Sequence, residues 1–422
     1  MKRVVLLICD GLRADMVRPE WTPHLCHIGN TGRIYHNHRS VFPSTTRTTA
    51  ASIATGCHPG RHGLEGNCVA LNEGAGLTAL SAGHPDFRER MRKATGATLR
   101  VPTLSQRLAK RGRAVIFSNV SPGAAHFHDP DGYGYVYHRS GSFGPRLTKI
   151  EGSDHLNVSH DIKGDNDMTA RFCSDILQGR STPYSVLWLC EPDHTQHASS
   201  LGSKENLAVI AATDKNAGKV ARTIERLNQN GQDILLIVAS DHGHQTVSAT
   251  LPLNDLLVEK GLKRSFDSSD VVVASNGFSA NIYLSVEALP KKMQIIRFLR
   301  TLKELDGVYS GNDLSLLGQS PAGALTISVT TKNTLNTNKH GIKGMSIAID
   351  DPLHEDTVIG CGQHGGLGKF EQNPFLIAKG TGFLPRSSCN KTTSAIDLAP
   401  TVLDYLGEPC KDMDGRPLSR GK

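Results

Sequence analysis

VVLLICDG (residues 4–11), SVLWLCEPD (185–193) and ILLIVASDH (234–242) share one grammar: an unbroken apolar run, rich in β-branched residues, that stops at a carboxylate. A fourth run, AVIFSN (114–119), ends in polar residues without the acid. Continuous apolar runs of this length suit strands buried on both faces, as in a parallel sheet, where alternation with polar residues is not required. Amphipathic stretches at 102–112 and 206–230 lie between them and predict helices. Strand, polar tip, helix, strand is the order of an α/β protein with a doubly wound, mostly parallel sheet. Ligands of such sheets bind at the carboxyl ends of the strands, which is where Asp10, Asp193 and Asp241 fall.

Beyond residue 245 the texture changes. Short strand-like runs at 271–274, 280–285 and 324–330 flank an amphipathic stretch at 291–305, and a polar segment at 331–343 follows. Residues 258–350 are therefore expected to form a smaller α+β cap insertion, with 1–257 and 351–422 forming the catalytic core. GCGQHGGLGK (360–369) is a glycine-rich loop carrying His364; 375–378 reads as a returning core strand and 395–406 as a closing helix. Residues 122–144, with His126 and His128, read as a long surface loop of unassigned role.

The 422 residues suffice for a large core. A formal charge of +7 favours anionic substrates, yet no basic stripe with interleaved aromatics appears, which argues against nucleic-acid binding. Nine cysteines, odd in number and without CxxC spacing, argue against a disulfide scaffold and for a reducing compartment. With only six apolar residues before Asp10 and no run of membrane-spanning length, a cytoplasmic protein without a membrane partner is expected.

VFPSTTRTTAASIATGCHPGRHGLEGN (41–67) holds a hydroxyl cluster at a predicted helix start. Such a cluster serves either as a plain cap or as a hydroxyl at the positive end of a helix, placed to meet an anion. Elsewhere, Asp193 and His197 stand four apart, close enough to hold one ion, and Asp241 and His242 are adjacent. Mixed Asp and His donors favour Zn²⁺, with Mn²⁺ or Fe as competitors, over the all-oxygen cages of Ca²⁺.

The set Cys9-Asp10-Gly11, Thr46 with Thr55-Gly56, PGRHG (59–63), Gly66-Asn67, Asp193 with His197, SDHG (240–243), GQHG (362–365) and MDGRPL (413–418) resembles the alkaline phosphatase superfamily. Within it, the set is similar to the type I phosphodiesterase/nucleotide pyrophosphatase family, close to phosphonoacetate hydrolase. The resemblance implies two divalent metal ions, one held by Asp193, His197 and His364, the other by Asp10, Asp241, His242 and the Thr46 hydroxyl. Thr46 becomes the nucleophile that forms a covalent phospho-threonine, and Asn67 a donor to a non-bridging oxygen. Spacing to Thr55-Gly56 selects Thr46 among its neighbours, with a register error of one left open.

Relatives usually carry Thr-Phe-Pro-Asn or Thr-Asn-Pro-Asn here, whereas Thr46 is followed by Arg47-Thr48-Thr49. Arg47 either binds the leaving group or a second anion of the substrate, or turns outward. Cys57-His58-Pro59-Gly60-Arg61 mimics a sulfatase CxPxR pattern but lies beyond the helix end, so Cys57 is read as structural. His194 and His244 are read as supports of neighbouring ligands or as solvent-facing. The implied activity is hydrolysis of phosphodiester, pyrophosphate or phosphonate bonds in a small anionic phosphorus-containing substrate. The alternative is C–P cleavage of a carboxylated phosphonate, with sulfatase, phosphomutase and a non-catalytic binding protein less favoured. The oligomeric state stays open, a homodimer included.

Overall fold

The computed structural model describes residues 2–350 and 357–421. A ten-stranded, mostly parallel sheet carries the molecule, with Lys2–Cys9 near its middle between Tyr184–Leu189 and Asp233–Ala239, both parallel to it. Val115–Ser118 and then Tyr135–His138 extend the sheet on one side, again in parallel. Leu376–Lys379 is antiparallel to Asp233–Ala239 on the other side.

Alternate residues of the first strand enter two separate cores, because successive side chains of a strand point to opposite faces. Val4, Leu6 and Ile8 pack with Ala50, Ile53, Val402 and Leu403. Val5, Leu7 and Cys9 pack with Ile210, Ala217, Val220 and Ile224. The sheet is thus covered by Thr46–Thr55 and Leu398–Leu406 on one face and by the long helix Lys204–Gln229 on the other. Each of the buried Val, Leu and Ile side chains among these contributes about 1.5–3 kcal/mol relative to exposure. That burial on both faces is why no polar residue interrupts the run before Asp10.

A four-stranded antiparallel sheet, Val271–Ser275, Ser279–Leu284, Leu325–Thr331 and Leu305–Ser310, lies within 258–350. Lys343–Ile349, from the same span, pairs instead with Gln245–Leu251 in a further small sheet that also contains Gly362–Gln363. The expected return to the core at 351 falls on residues outside the described ones.

Some expectations change. The predicted 102–112 helix shrinks to Leu104–Arg107. Residues 122–144 are not a surface loop: they contain the helix Pro122–Phe127 and the core strand Tyr135–His138, and both His126 and His128 are buried. That strand, YVYH, is only four residues long, and its burial comes from the neighbouring Val115–Ser118 strand rather than from its own pattern. All nine cysteines are free. Among the described residues no helix is long and apolar enough to cross a membrane.

Candidate active site

Three adjacent parallel strands deliver the acids. Asp10 follows Lys2–Cys9, Asp193 opens the helix Asp193–Ala198 beyond Tyr184–Leu189, and Asp241 follows Asp233–Ala239. The Asp193 amide donates to the Asp10 carbonyl at 3.1 Å, tying two of the tips together.

Asp10, Asp241 and His242 converge with buried side chains. One oxygen of each acid is held: Asp10 Oδ2 accepts from Trp188 Nε1 at 2.8 Å, and Asp241 Oδ1 from the Gly11 amide at 3.2 Å. The other two, Asp10 Oδ1 and Asp241 Oδ2, are buried without any hydrogen-bond partner. They lie 3.5 and 3.1 Å from His242 Nε2, which is also 3.0 Å from Thr46 Oγ1. Orphaned carboxylate oxygens facing an imidazole nitrogen and a hydroxyl form a donor set that a divalent cation satisfies, since a buried unpaired acid is otherwise costly. Burial, reinforced by Asp241 and Asp193, pushes the Asp10 carboxyl well above its usual range. Burial and then Asp193 push Asp241 to about 7.

A second group surrounds Asp193. His197, His364 and His244 present Nε2 to Asp193 Oδ1 at 3.4, 3.6 and 2.6 Å. Burial opposes ionisation of Asp193, but the imidazoles of His197 and His244 outweigh it and hold the carboxyl well below its usual range. His364 arrives from the glycine-rich loop. Its Nδ1 is 2.8 Å from the Ser44 carbonyl and its ring stacks on His242 with centroids 3.7 Å apart. The loop reaches this position because Gly365, at φ +106°, passes so close to Asn276 that a Cβ would lie 1.7 Å from its carbonyl oxygen.

All seven residues expected to meet metal, Asp10, Thr46, Asp193, His197, Asp241, His242 and His364, are therefore brought to one place. His244 was expected to support a ligand or to face solvent. It is fully buried and joins the group holding Asp193. Of the two histidines so read, His194 is the exposed one, its ring 4.2 Å from that of His160.

Thr46 begins a helix, Thr46–Thr55, but the hydroxyl cluster does not cap it: Thr45 makes no side-chain cap hydrogen bond and instead donates to Thr48 Oγ1 at 2.9 Å. The cap comes from far along the chain. Asn67 Oδ1 accepts from the Arg47 amide at 2.9 Å, which leaves Asn67 Nδ2 as its donor end. Arg47 does not turn outward; it is half-buried, lines the site and donates from Nε to Ser121 Oγ at 3.0 Å. Cys57 sits at the other end of the helix, buried, with its thiol pKa raised by burial, and does not line the cleft.

Asp10, Thr46, Arg47, Asn67, Asp193, His197 and His364 line a cleft of ≈ 640 Å³. An alkaline phosphatase-like fold with two donor clusters sharing His242 beside a helix-terminal hydroxyl fits a metallohydrolase. The chain belongs to the type I phosphodiesterase/nucleotide pyrophosphatase family, whose model matches residues 4–313. His364 lies beyond the matched stretch and joins the site only through the fold. The structure is similar to murine ectonucleotide pyrophosphatase/phosphodiesterase 5, with a TM-score of 0.68 and 19% identity, covering 98% of this chain and 97% of that one. An inactive form of the murine protein in complex with AMP gives 0.67 and 18%, with the same coverage, and the human protein 0.66 and 18%, again over 98% and 97%. No curated protein matches the sequence significantly.

Proposed function

We propose that the protein hydrolyses a phosphodiester, pyrophosphate or phosphonate bond through Thr46. The observation that carries this reading is the placement of Thr46 Oγ1, at a helix N-terminus and 3.0 Å from His242 Nε2, beside two partnerless carboxylate oxygens. Asp193, His197 and His364 would hold one divalent ion, and Asp10, Asp241, His242 and Thr46 the other, with Zn²⁺ preferred over Mn²⁺ or Fe. Bound ions supply positive charge that favours the ionised Thr46 oxygen and balances the phosphoryl oxygens.

Thr46 Oγ attacks phosphorus in line as the bond to the leaving group breaks, and the phospho-threonine so formed is hydrolysed by water in a second displacement. Asn67 Nδ2 donates to a non-bridging oxygen, and its Oδ1, engaged by the Arg47 amide, keeps the carboxamide in that orientation. Arg47, held by Ser121, faces the substrate from the cleft wall.

Turnover of bis(p-nitrophenyl) phosphate by the wild type and by Thr46→Ala, both with measured metal content, tests the reading. Loss of about 1,000-fold or more in kcat with metal retained is expected for a covalent nucleophile. Equal turnover in the two proteins overturns it. C–P cleavage of a carboxylated phosphonate is the second reading. It is favoured by a cleft lining that, among the described residues, contains arginine and histidine but no Phe, Tyr or Trp.

A further inference from the structure

The cleft carries positive charge that the candidate metal centre does not use. Arg139 follows the strand Tyr135–His138 and lines the cleft, half-buried. Its Nη1 is fixed by the main-chain carbonyls of Asn119 and Val120, both at 2.7 Å. Among the described residues no carboxylate lies within ion-pair distance of it, and its Nε and Nη2 make no hydrogen bond. The guanidinium is thus anchored by one corner, with the rest of its donor fork uncommitted. Burial lowers its pKa, the cost of holding a cation away from water, and Cys190 and Asp165 offset part of that cost from beyond ion-pair distance.

Arg139 does not stand alone. His160, also half-buried in the cleft wall, feels its charge and faces the exposed His194 ring at 4.2 Å. Arg47 and Ser121 line the same cleft. Its acids, Asp10 and Asp193, belong to the metal-donor clusters, and no other acid is among the described lining residues. A planar guanidinium presenting its free Nε/Nη2 edge matches a carboxylate or a phosphoryl group in bidentate fashion. No Phe, Tyr or Trp ring is available in that lining for a nucleobase to stack on.

The geometry points to a second-anion subsite built on Arg139 and His160, which selects small phosphorus substrates bearing a carboxylate or a second phosphoryl group. This rests on the reading that the phosphoryl group itself sits at the Asp10–Asp193–Asp241 cluster. It does not depend on Thr46 being the nucleophile.

Binding to Zn²⁺-loaded Thr46→Ala protein, measured by calorimetry with zinc in fixed excess, tests it apart from turnover. The probes are methylphosphonate, which has no second anion, phosphonoacetate, which adds a carboxylate, and methylenediphosphonate, which adds a phosphoryl group. At least one two-anion probe is expected to bind about tenfold or more tightly than methylphosphonate, and the tighter one identifies the second group. Adding Arg139→Gln should shrink that preference to about twofold or less, while Arg139→Lys keeps part of it. Absence of a preference in the parent, or a preference unchanged by Arg139→Gln, overturns the subsite. Should Arg139→Gln fail to fold, His160→Ala gives the same decision: a reduced preference supports the subsite and an unchanged one overturns it. Failure of methylphosphonate to bind at all would count instead against the phosphoryl site.

Discussion

Replacement of His244 by alanine tests the imidazole at the centre whose role, ligand support or solvent-facing, the sequence left open. Its Nε2 lies 2.6 Å from Asp193 Oδ1, nearer than His197 or His364, and the ring has no solvent exposure. A hydrogen bond of this kind to an ionised carboxylate is worth about 1.5–3 kcal/mol. At about 1.4 kcal/mol per tenfold, its loss should weaken metal binding at the Asp193–His197–His364 group by roughly 10–100-fold, the range found for groups that orient ligands. The Asp10–Asp241–His242 group keeps its own supports, Trp188 and the Gly11 amide, and should bind unchanged. Chelator competition followed by elemental analysis should therefore show one ion released at lower chelator concentration and the other retained. The metal-free thermal midpoint, measured alongside, reports any cost of the cavity. Two ions held as tightly as in the wild type, in a variant whose fold is intact, would refute the reasoning.

Two further outcomes follow from buried positions around the site. Gly365→Ala forces a Cβ to within 1.7 Å of the Asn276 carbonyl at φ +106°, so the loop carrying His364 must shift. A destabilisation of about 2–5 kcal/mol is expected, read as a lowered thermal midpoint together with loss of one metal equivalent; an unchanged midpoint contradicts it. Asp165 accepts from Asn119 and from the Cys190 and Glu191 amides, yet burial raises its pKa to about 6. A raised folded pKa means that its contribution to stability is complete below about pH 4 and is lost as pH rises through about 6. Relative to Asp165→Asn, the wild type should therefore lose stability between about pH 4 and 7, by up to roughly 3 kcal/mol. A midpoint difference that stays flat with pH contradicts the shift.

The apolar runs ending at Asp10, Asp193 and Asp241 were legible because a strand buried on both faces tolerates no polar residue until it emerges from the core. Once Lys2–Cys9 lies between the other two strands, their acidic tips meet, and each adjacent or four-spaced histidine comes with them. Motif spacing therefore singled out Asp10, Asp241 and His242, which meet in one donor cluster, and Asp193 and His364, which meet with His242 and His244 in the other. The choice for His244 between supporting a ligand and facing solvent stayed open because it depends on Asp193, 51 positions away, and nothing in the dipeptide Gly243-His244 reports that distance.

By itself, then, the sequence determined the α/β sheet and the placing of Asp10, Asp193 and Asp241 at the carboxyl ends of its strands. These follow from local periodicity and from short-range order along strands. Tertiary structure alone decided that Asn67 rather than the Ser/Thr cluster caps the Thr46 helix, that Arg47 faces inward, and that Tyr135–His138 belongs to the core sheet. It alone left Arg139 half-buried in the cleft wall with, among the described residues, no carboxylate within ion-pair distance. Each is a matter of which partner reaches a group across tens to hundreds of residues, and hydrogen bonds and charges are satisfied in space, not along the chain.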